Sequence, residues 1–342
     1  MREPAFWHRP RSWTSYLLFP LGAVYGAIAA LRMQRKGLDA GIPVFCVGNY
    51  HMGGAGKTPT VLALTRILRD VGETVVVLSR GYGGRLQGPL MVDPGRHAAA
   101  DVGDEPLMLA ATVPVAVARD RVDGVALAKS QGASVILMDD GFQNPAVNKD
   151  AALIVIDSGR GVGNGQVFPA GPLRAPLAAQ LERTDALIVV GEGSAASAIA
   201  AMIASRPDRP VLTAHLKPDP AALAALAGKG VLAFAGIGDP ARFFGTLRTH
   251  GIDVVRERAF ADHHPFSQDD IEALIAEAGR EGLTLVTTEK DLVRLRRGGE
   301  LPAIGRAIST LPVTLEFEDE KTLRSFIGER LFKARQKKFG VA

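Results

Sequence analysis

Residues 51–58, His51-Met52-Gly53-Gly54-Ala55-Gly56-Lys57-Thr58, lie between an apolar run at 43–49 and a helical pattern at 58–71. Glycines in such a loop let backbone N–H groups turn toward phosphate oxygens. A helix opening near Thr58 adds the positive end of its dipole. Lys57 has the reach for the β/γ-phosphates of ATP, and the Thr58 hydroxyl can ligate Mg²⁺. The strict pattern G-x-x-x-x-G-K-[ST] asks for glycine at position 51, where this chain carries His51. Asp139-Asp140-Gly141 ends a second apolar run. From a strand tip of that kind a carboxylate holds Mg²⁺ directly or through water.

Four further clusters carry chemistry. Asp104-Glu105-Pro106 suits helix capping as well as a functional role. The glycine-rich stretch 79–85 holds Arg80, Tyr82 and Arg85, which can touch phosphate or sugar, or simply make a turn. The proline-stiffened stretch 169–176 presents Arg174 as a clamp for phosphate. Asp262, His263 and His264 form the last cluster. With no third ligand at suitable spacing, a histidine beside an acid points to proton chemistry rather than a metal.

These clusters need elements to hold them. Near-continuous apolar runs at 43–49, 74–80, 113–118, 134–140, 152–157 and 186–191 alternate with helical patterns. That rhythm predicts a doubly wound, mainly parallel α/β sheet of the phosphate-loop NTPase type. A second series at 211–216, 231–238, 253–260, 284–291 and 313–319 predicts a smaller α/β domain. The expected organisation is an N-terminal helix (1–36), a phosphate-loop domain (37–212), the smaller domain (213–330) and a basic tail (331–342). A chain of 342 residues accommodates two such cores.

Thr14 to Leu31 carries no charge and spans roughly 27 Å as a helix. That is marginal for crossing a bilayer. A signal peptide and a buried core helix are the alternatives. Trp7, Trp13, Tyr16 and Tyr25 favour a helix lying on or dipping into a membrane. A net charge of +4 argues against a general nucleic-acid binder. The single cysteine, Cys46, excludes an internal disulfide and fits a reducing compartment.

The motifs "VGNYHMGGAGKTP", "SRGYGG", "VGDEP", "DDGFQN", "PAGPLR", "FAGIGDPARFF", "DHHPF" and "TEKD" occur in this order. Together they resemble the tetraacyldisaccharide 4'-kinase family of lipid A biosynthesis. The resemblance covers about residues 10–330. It implies ATP- and Mg²⁺-dependent phosphorylation of the 4'-hydroxyl of the lipid A disaccharide precursor, at the cytoplasmic face of the inner membrane. No nucleic acid and no obligatory protein partner are expected. The resemblance places the ATP loop on His51 to Thr58 and the catalytic acid on Asp104, paired with His263. Asp139 and Asp140 fall at the metal, with Glu105 as a helper; Arg174 and an arginine of "ARDRV", Arg121 in preference to Arg119, fall on the acceptor side, where Tyr82 is also expected. Asn144 stands where many relatives have histidine, and Ala175 where most have glutamate. A soluble small-molecule kinase and a membrane-associated nucleotide switch are the rival readings. Met52 counts against the switch, since dimerising ATPases with similar loops place a lysine there.

Overall fold

The computed structural model describes residues 3–54, 56–295 and 308–339. In chain order the strands are β1 (Val44–Gly48), β2 (Val75–Ser79), β3 (Leu90–Met91), β4 (Val115–Val117), β5 (Val135–Asp139), β6 (Ala151–Asp157) and β7 (Ala186–Val190). They continue with β8 (Val211–Pro218), β9 (Gly230–Ala235), β10 (Asp253–Ala259), β11 (Thr284–Thr287), β12 (Ile308–Thr310) and β13 (Val313–Phe317). Nine form one sheet in the order β13-β8-β7-β6-β1-β5-β2-β4-β3, and four form a second in the order β10-β9-β11-β12. The large sheet is parallel except where β13 meets β8 and β3 meets β4. Its central strands are buried along their whole length, as the unbroken apolar runs require.

β1 sits between β5 and β6, so the chain order reverses beside it. Loops that leave the carboxyl ends of strands at such a crevice bind ligands. Val47 of β1 registers with Asp139 of β5, which brings the strand-tip acids next to the loop after β1.

Sheet membership differs from the expected domain limits in one respect. β8 and β13 pair with each other at the edge of the large sheet, not in the small one. The expected basic tail beyond residue 330 is helical where it is described, because the helix Glu320–Phe339 runs through it. Its Leu323, Phe326, Ile327 and Leu331 recur at helical spacing and pack into the large core. Toward its end two of its cations are paired: Arg335 with Glu73 at 2.7 Å and Lys338 with Asp150 at 3.0 Å. The smaller sheet keeps its own core around Val231, Ala233, Phe243 and Val286.

Helix α1 (Trp13–Met33) is long and apolar enough to cross a membrane by length and composition, and most of it is uncovered. It is therefore not a core helix. Gly22 and Gly26 face inward, where a Cβ on Gly22 would meet the Val167 carbonyl at 2.8 Å. Trp13, Leu17, Phe19, Leu21, Val24, Ile28 and Leu31 face outward. Trp7, read from sequence with the outward aromatic set, is buried instead. Its Nε1–H donates to the Pro169 carbonyl at 3.1 Å, and its ring stands edge-on to Phe168. The two tryptophans thus have opposite jobs, with Trp7 5% exposed and Trp13 77%. Trp7→Ala is expected to lower stability by about 3–5 kcal/mol, and Trp13→Ala by less than about 0.5 kcal/mol. Thermal unfolding of both variants checks this; equal losses would overturn the assigned helix face.

Candidate active site

The phosphate loop joins β1 to helix α2 (Lys57–Asp70). Gly56, at φ 87°, is the left-handed residue that turns the chain into α2, a conformation a side chain would strain. Gly53, at φ 98°, has its carbonyl held by Asn49 Nδ2 at 3.0 Å. The start of the loop is pinned from outside: the Met52 N–H donates to Pro172, and His51 bridges to Leu173. His51 is buried, and burial pulls its pKa down; its Nδ1 lies 2.6 Å from the Met52 carbonyl. Gly54 is open, and Thr58 is half-buried at the first turn of α2. Ala55 lies outside the described residues.

Lys57 is 9% exposed, and its Nζ stands 3.8 Å from Asp140 Oδ1. Arg174 Nη1 donates to both Asp140 oxygens, at 3.0 and 3.1 Å, while its Nε donates to the His51 carbonyl. Burial would raise the Asp140 pKa, but Lys57 and Arg174 outweigh it and hold it down to about 2. Arg174 therefore ties the loop to the strand-tip acids. Asp140 itself sits at φ 53°, a strained position for a residue with a side chain.

Asp139 behaves oppositely. It is 1% exposed, and among the described residues only Ser79 Oγ donates to it, to Oδ2 at 3.3 Å. Its Oδ1 is buried with no partner among the described residues. Burial, then the nearby Glu105 and Asp140, push its pKa up to about 7. An unpartnered buried carboxylate oxygen at a strand tip fits a hard cation, which would supply the missing ligand bond. Among the described residues no ready-made cage of three or more His, Cys, Asp or Glu side chains exists. A site for Mg²⁺ here would draw on Asp139 with Thr58, Asp140 and Glu105, and on phosphate and water oxygens.

The acidic pair at 104–105 opens the helix Asp104–Ala110 in the large domain. Asp104 Oδ2 accepts from His263 Nδ1 at 2.9 Å, from Arg294 Nε at 2.8 Å and from Arg294 Nη2 at 2.5 Å. Both donors belong to the smaller domain. Asp104 Oδ1 accepts from the Glu105 N–H at 2.9 Å. Burial works to raise the Asp104 pKa, yet the His263 hydrogen bond, Lys290 and Arg294 drive it far below the usual carboxylate range. Lys290 Nζ donates to Glu105 at 3.0 Å. Burial is again the largest influence on Glu105, and Lys290 and Lys57 reverse it, lowering its pKa. His263 is held at φ 58° between Asp104 and Asp262, its ring edge-to-face with exposed Tyr82. The smaller domain also approaches the phosphate loop, since a Cβ on Gly238 would lie 4.0 Å from the Gly54 nitrogen.

Of the residues singled out from sequence, Lys57, Thr58, Asp139, Asp140 and Arg174 gather around the loop, while Asp104, Glu105, His263 and Tyr82 form the wall that joins the domains. Arg121 is different. It is 2% exposed, donates to the Ala118 carbonyl at 2.9 Å, and has Asp139 as its strongest charged neighbour. It lies inside the large domain rather than on an open acceptor surface. Asn144 caps a turn through the Ala146 N–H, and Ala175 is wholly buried. Lys290, Asp291 and Arg294 escaped the sequence reading. Their signal was the "TEKD" stretch itself: Asp291 pairs with Arg294 one helical turn on, at 2.7 Å, and aims it at Asp104.

A family model described as tetraacyldisaccharide-1-P 4'-kinase matches residues 14–331. A tetraacyldisaccharide 4'-kinase of Bradyrhizobium diazoefficiens is 68% identical over 340 residues, covering 99% of each chain. One from Rhodopseudomonas palustris strain HaA2 is 65% identical, covering 98% of this chain and 99% of its own. Among solved structures, LpxK from Aquifex aeolicus in complex with ATP matches with a TM-score of 0.71 at 26% identity, over 93% of this chain and 99% of that one.

The raised Asp139 pKa has a testable sign. The folded state holds the proton up to about pH 7, whereas an ordinary Asp releases it near 3.8. The buried carboxylate therefore costs stability increasingly as pH rises from about 4 to about 7, then by a constant amount above. Asp139→Asn is expected to raise Tm in the absence of nucleotide, more at pH 8 than at pH 5, which calorimetry at the two pH values measures. An equal or reversed difference would overturn this account of Asp139.

Proposed function

The chain belongs to the tetraacyldisaccharide 4'-kinase family, and from that premise we propose that it transfers the γ-phosphoryl group of ATP to the 4'-hydroxyl of tetraacyldisaccharide 1-phosphate at the cytoplasmic face of the inner membrane. The observation that carries this reading is Asp104: a buried carboxylate held by the smaller domain, which also approaches the phosphate loop at Gly238.

Phosphoryl transfer asks a protein chiefly for positioning and charge neutralisation. The turned N–H groups after Gly53 and the start of α2 receive the β/γ-phosphates, and Lys57 moves from Asp140 toward them. Asp139, Asp140, Glu105 and Thr58 are the oxygen ligands suited to Mg²⁺. When bound, Mg²⁺ supplies neutralisation of the charge on the phosphate oxygens. Asp104 accepts the proton of the sugar hydroxyl at Oδ1, because Oδ2 is filled by three donor contacts. His263 orients that carboxylate and shares its proton. A strongly acidic Asp104 is a weak base, which suits a loose transition state that leaves little covalent work to the protein. Arg174 and Tyr82 line the acceptor side.

The acyl chains keep the acceptor in the bilayer, so the enzyme must meet it there. The exposed apolar face of α1 supports seating at that surface. A soluble kinase or a nucleotide switch leaves this face, and the Asp104–His263 pair, without a use.

Incubation of the chain with ATP, Mg²⁺ and purified tetraacyldisaccharide 1-phosphate is expected to yield the bisphosphorylated lipid. Asp104→Ala should cut kcat by about 10²–10⁴-fold, and His263→Ala should lower kcat at saturating acceptor. No bisphosphorylated product from the unaltered chain would refute the reaction, and full activity of Asp104→Ala would remove it from the role of base.

A further inference from the structure

A cavity of about 470 Å³ opens at the foot of α1. His8, Arg9 and Arg11 line it from the segment before the helix, and Arg160 and Asn164 line it from the loop after β6. No carboxylate is among the lining residues. His8 and Arg160 share Glu3, at 2.5 and 3.8 Å, and Arg160 also reaches Asp239 at 2.9 Å. Among the described residues, neither Arg9 nor Arg11 has a carboxylate within 4.0 Å, so their charges are uncompensated.

The cavity is built rather than fortuitous. With the Gln166 amide turned so that its oxygen faces Arg11, it accepts from Arg11 Nε at 2.8 Å and from Nη2 at 3.1 Å. A neutral amide fixes that guanidinium without cancelling its charge. Asn164 donates to Ser15 Oγ at 3.1 Å and to the Ala170 carbonyl at 2.9 Å, so the far wall is tied to the first turn of α1. Buried Trp7 anchors the arm that carries the arginines. Directly after them come Trp13 and Tyr16, 77% and 64% exposed, of the type that settles at headgroup level.

We propose that this cavity binds the phosphate of a membrane lipid, with Arg9 and Arg11 as the recognising cations and Arg160 and His8 as its back wall. Forked guanidinium groups match phosphate oxygens. The site lies where α1 would meet the headgroups, and beside the phosphate loop, because the Glu3 carboxylate that binds its cations also rests on Gly53. The phosphate comes either from an anionic phospholipid of the surrounding bilayer or from the acceptor itself; the second source rests on the kinase reading above.

The test uses the full chain and two charge reversals, Arg9→Glu in the cavity and Arg32→Glu at the exposed far end of α1. Sedimentation with phosphatidylglycerol/phosphatidylcholine vesicles is read without ATP or acceptor, so it stands even if the kinase reading fails. Arg9→Glu is expected to weaken vesicle binding roughly tenfold, and Arg32→Glu by less than about twofold. That result assigns the cavity to a phospholipid headgroup. A rise in KM for the acceptor with kcat kept, and vesicle binding unchanged, assigns it to the acceptor's phosphate. Equal losses in both variants would mean diffuse surface charge, and no change in either readout would mean no site; each overturns the proposal.

Discussion

One carboxylate oxygen, Asp104 Oδ2, takes donors from the other half of the molecule, and the Lys290–Glu105 and Arg160–Asp239 ion pairs cross between the halves as well. It is buried, so its charge must be answered, and the answers come from His263 and Arg294 of the smaller domain. Removing Arg294 would leave the buried carboxylate without its guanidinium, which is among the costlier things a protein can do. This contact is one of several that seat the smaller domain over the phosphate loop. Asp291 supports it in turn, fully buried, by holding Arg294 at 2.7 Å and the Gly236 N–H at 3.1 Å.

The phosphate loop has a comparable brace within the large domain. β1 delivers it beside the tip of β5, and Arg174 then bonds both the loop backbone and Asp140. The two adjacent acids diverge as a result. Asp140 faces cations and stays ionised, while Asp139 faces burial and other acids and keeps its proton to near neutrality. Neighbouring carboxylates with opposed environments are a feature of functional sites more than of strand ends built for stability.

The N-terminal region works by contrast between its faces. Small residues let α1 lie against the loop that carries Arg174, while its large apolar side chains remain uncovered. The same loop thus touches the membrane-type helix on one side and the phosphate loop on the other. Trp7 inserts beside it and fixes the segment that precedes α1.

What the sequence determined by itself is local. Runs of apolar residues specified parallel strands, and glycines followed by Lys57 and Thr58 specified a phosphate loop, because backbone freedom and helix polarity act over a few residues. The strand-tip acids were legible for the same reason. Motif order and resemblance, not periodicity, pointed to the Asp104–His263 pair. Tertiary structure alone decided that Arg294 completes that pair from 190 residues away, that Arg121 turns inward, and that β8 and β13 leave the small sheet for the large one. It also sent Trp7 and Trp13 in opposite directions. Those outcomes rest on which distant surfaces pack together and which buried charges they must neutralise, and no short stretch of chain encodes that choice.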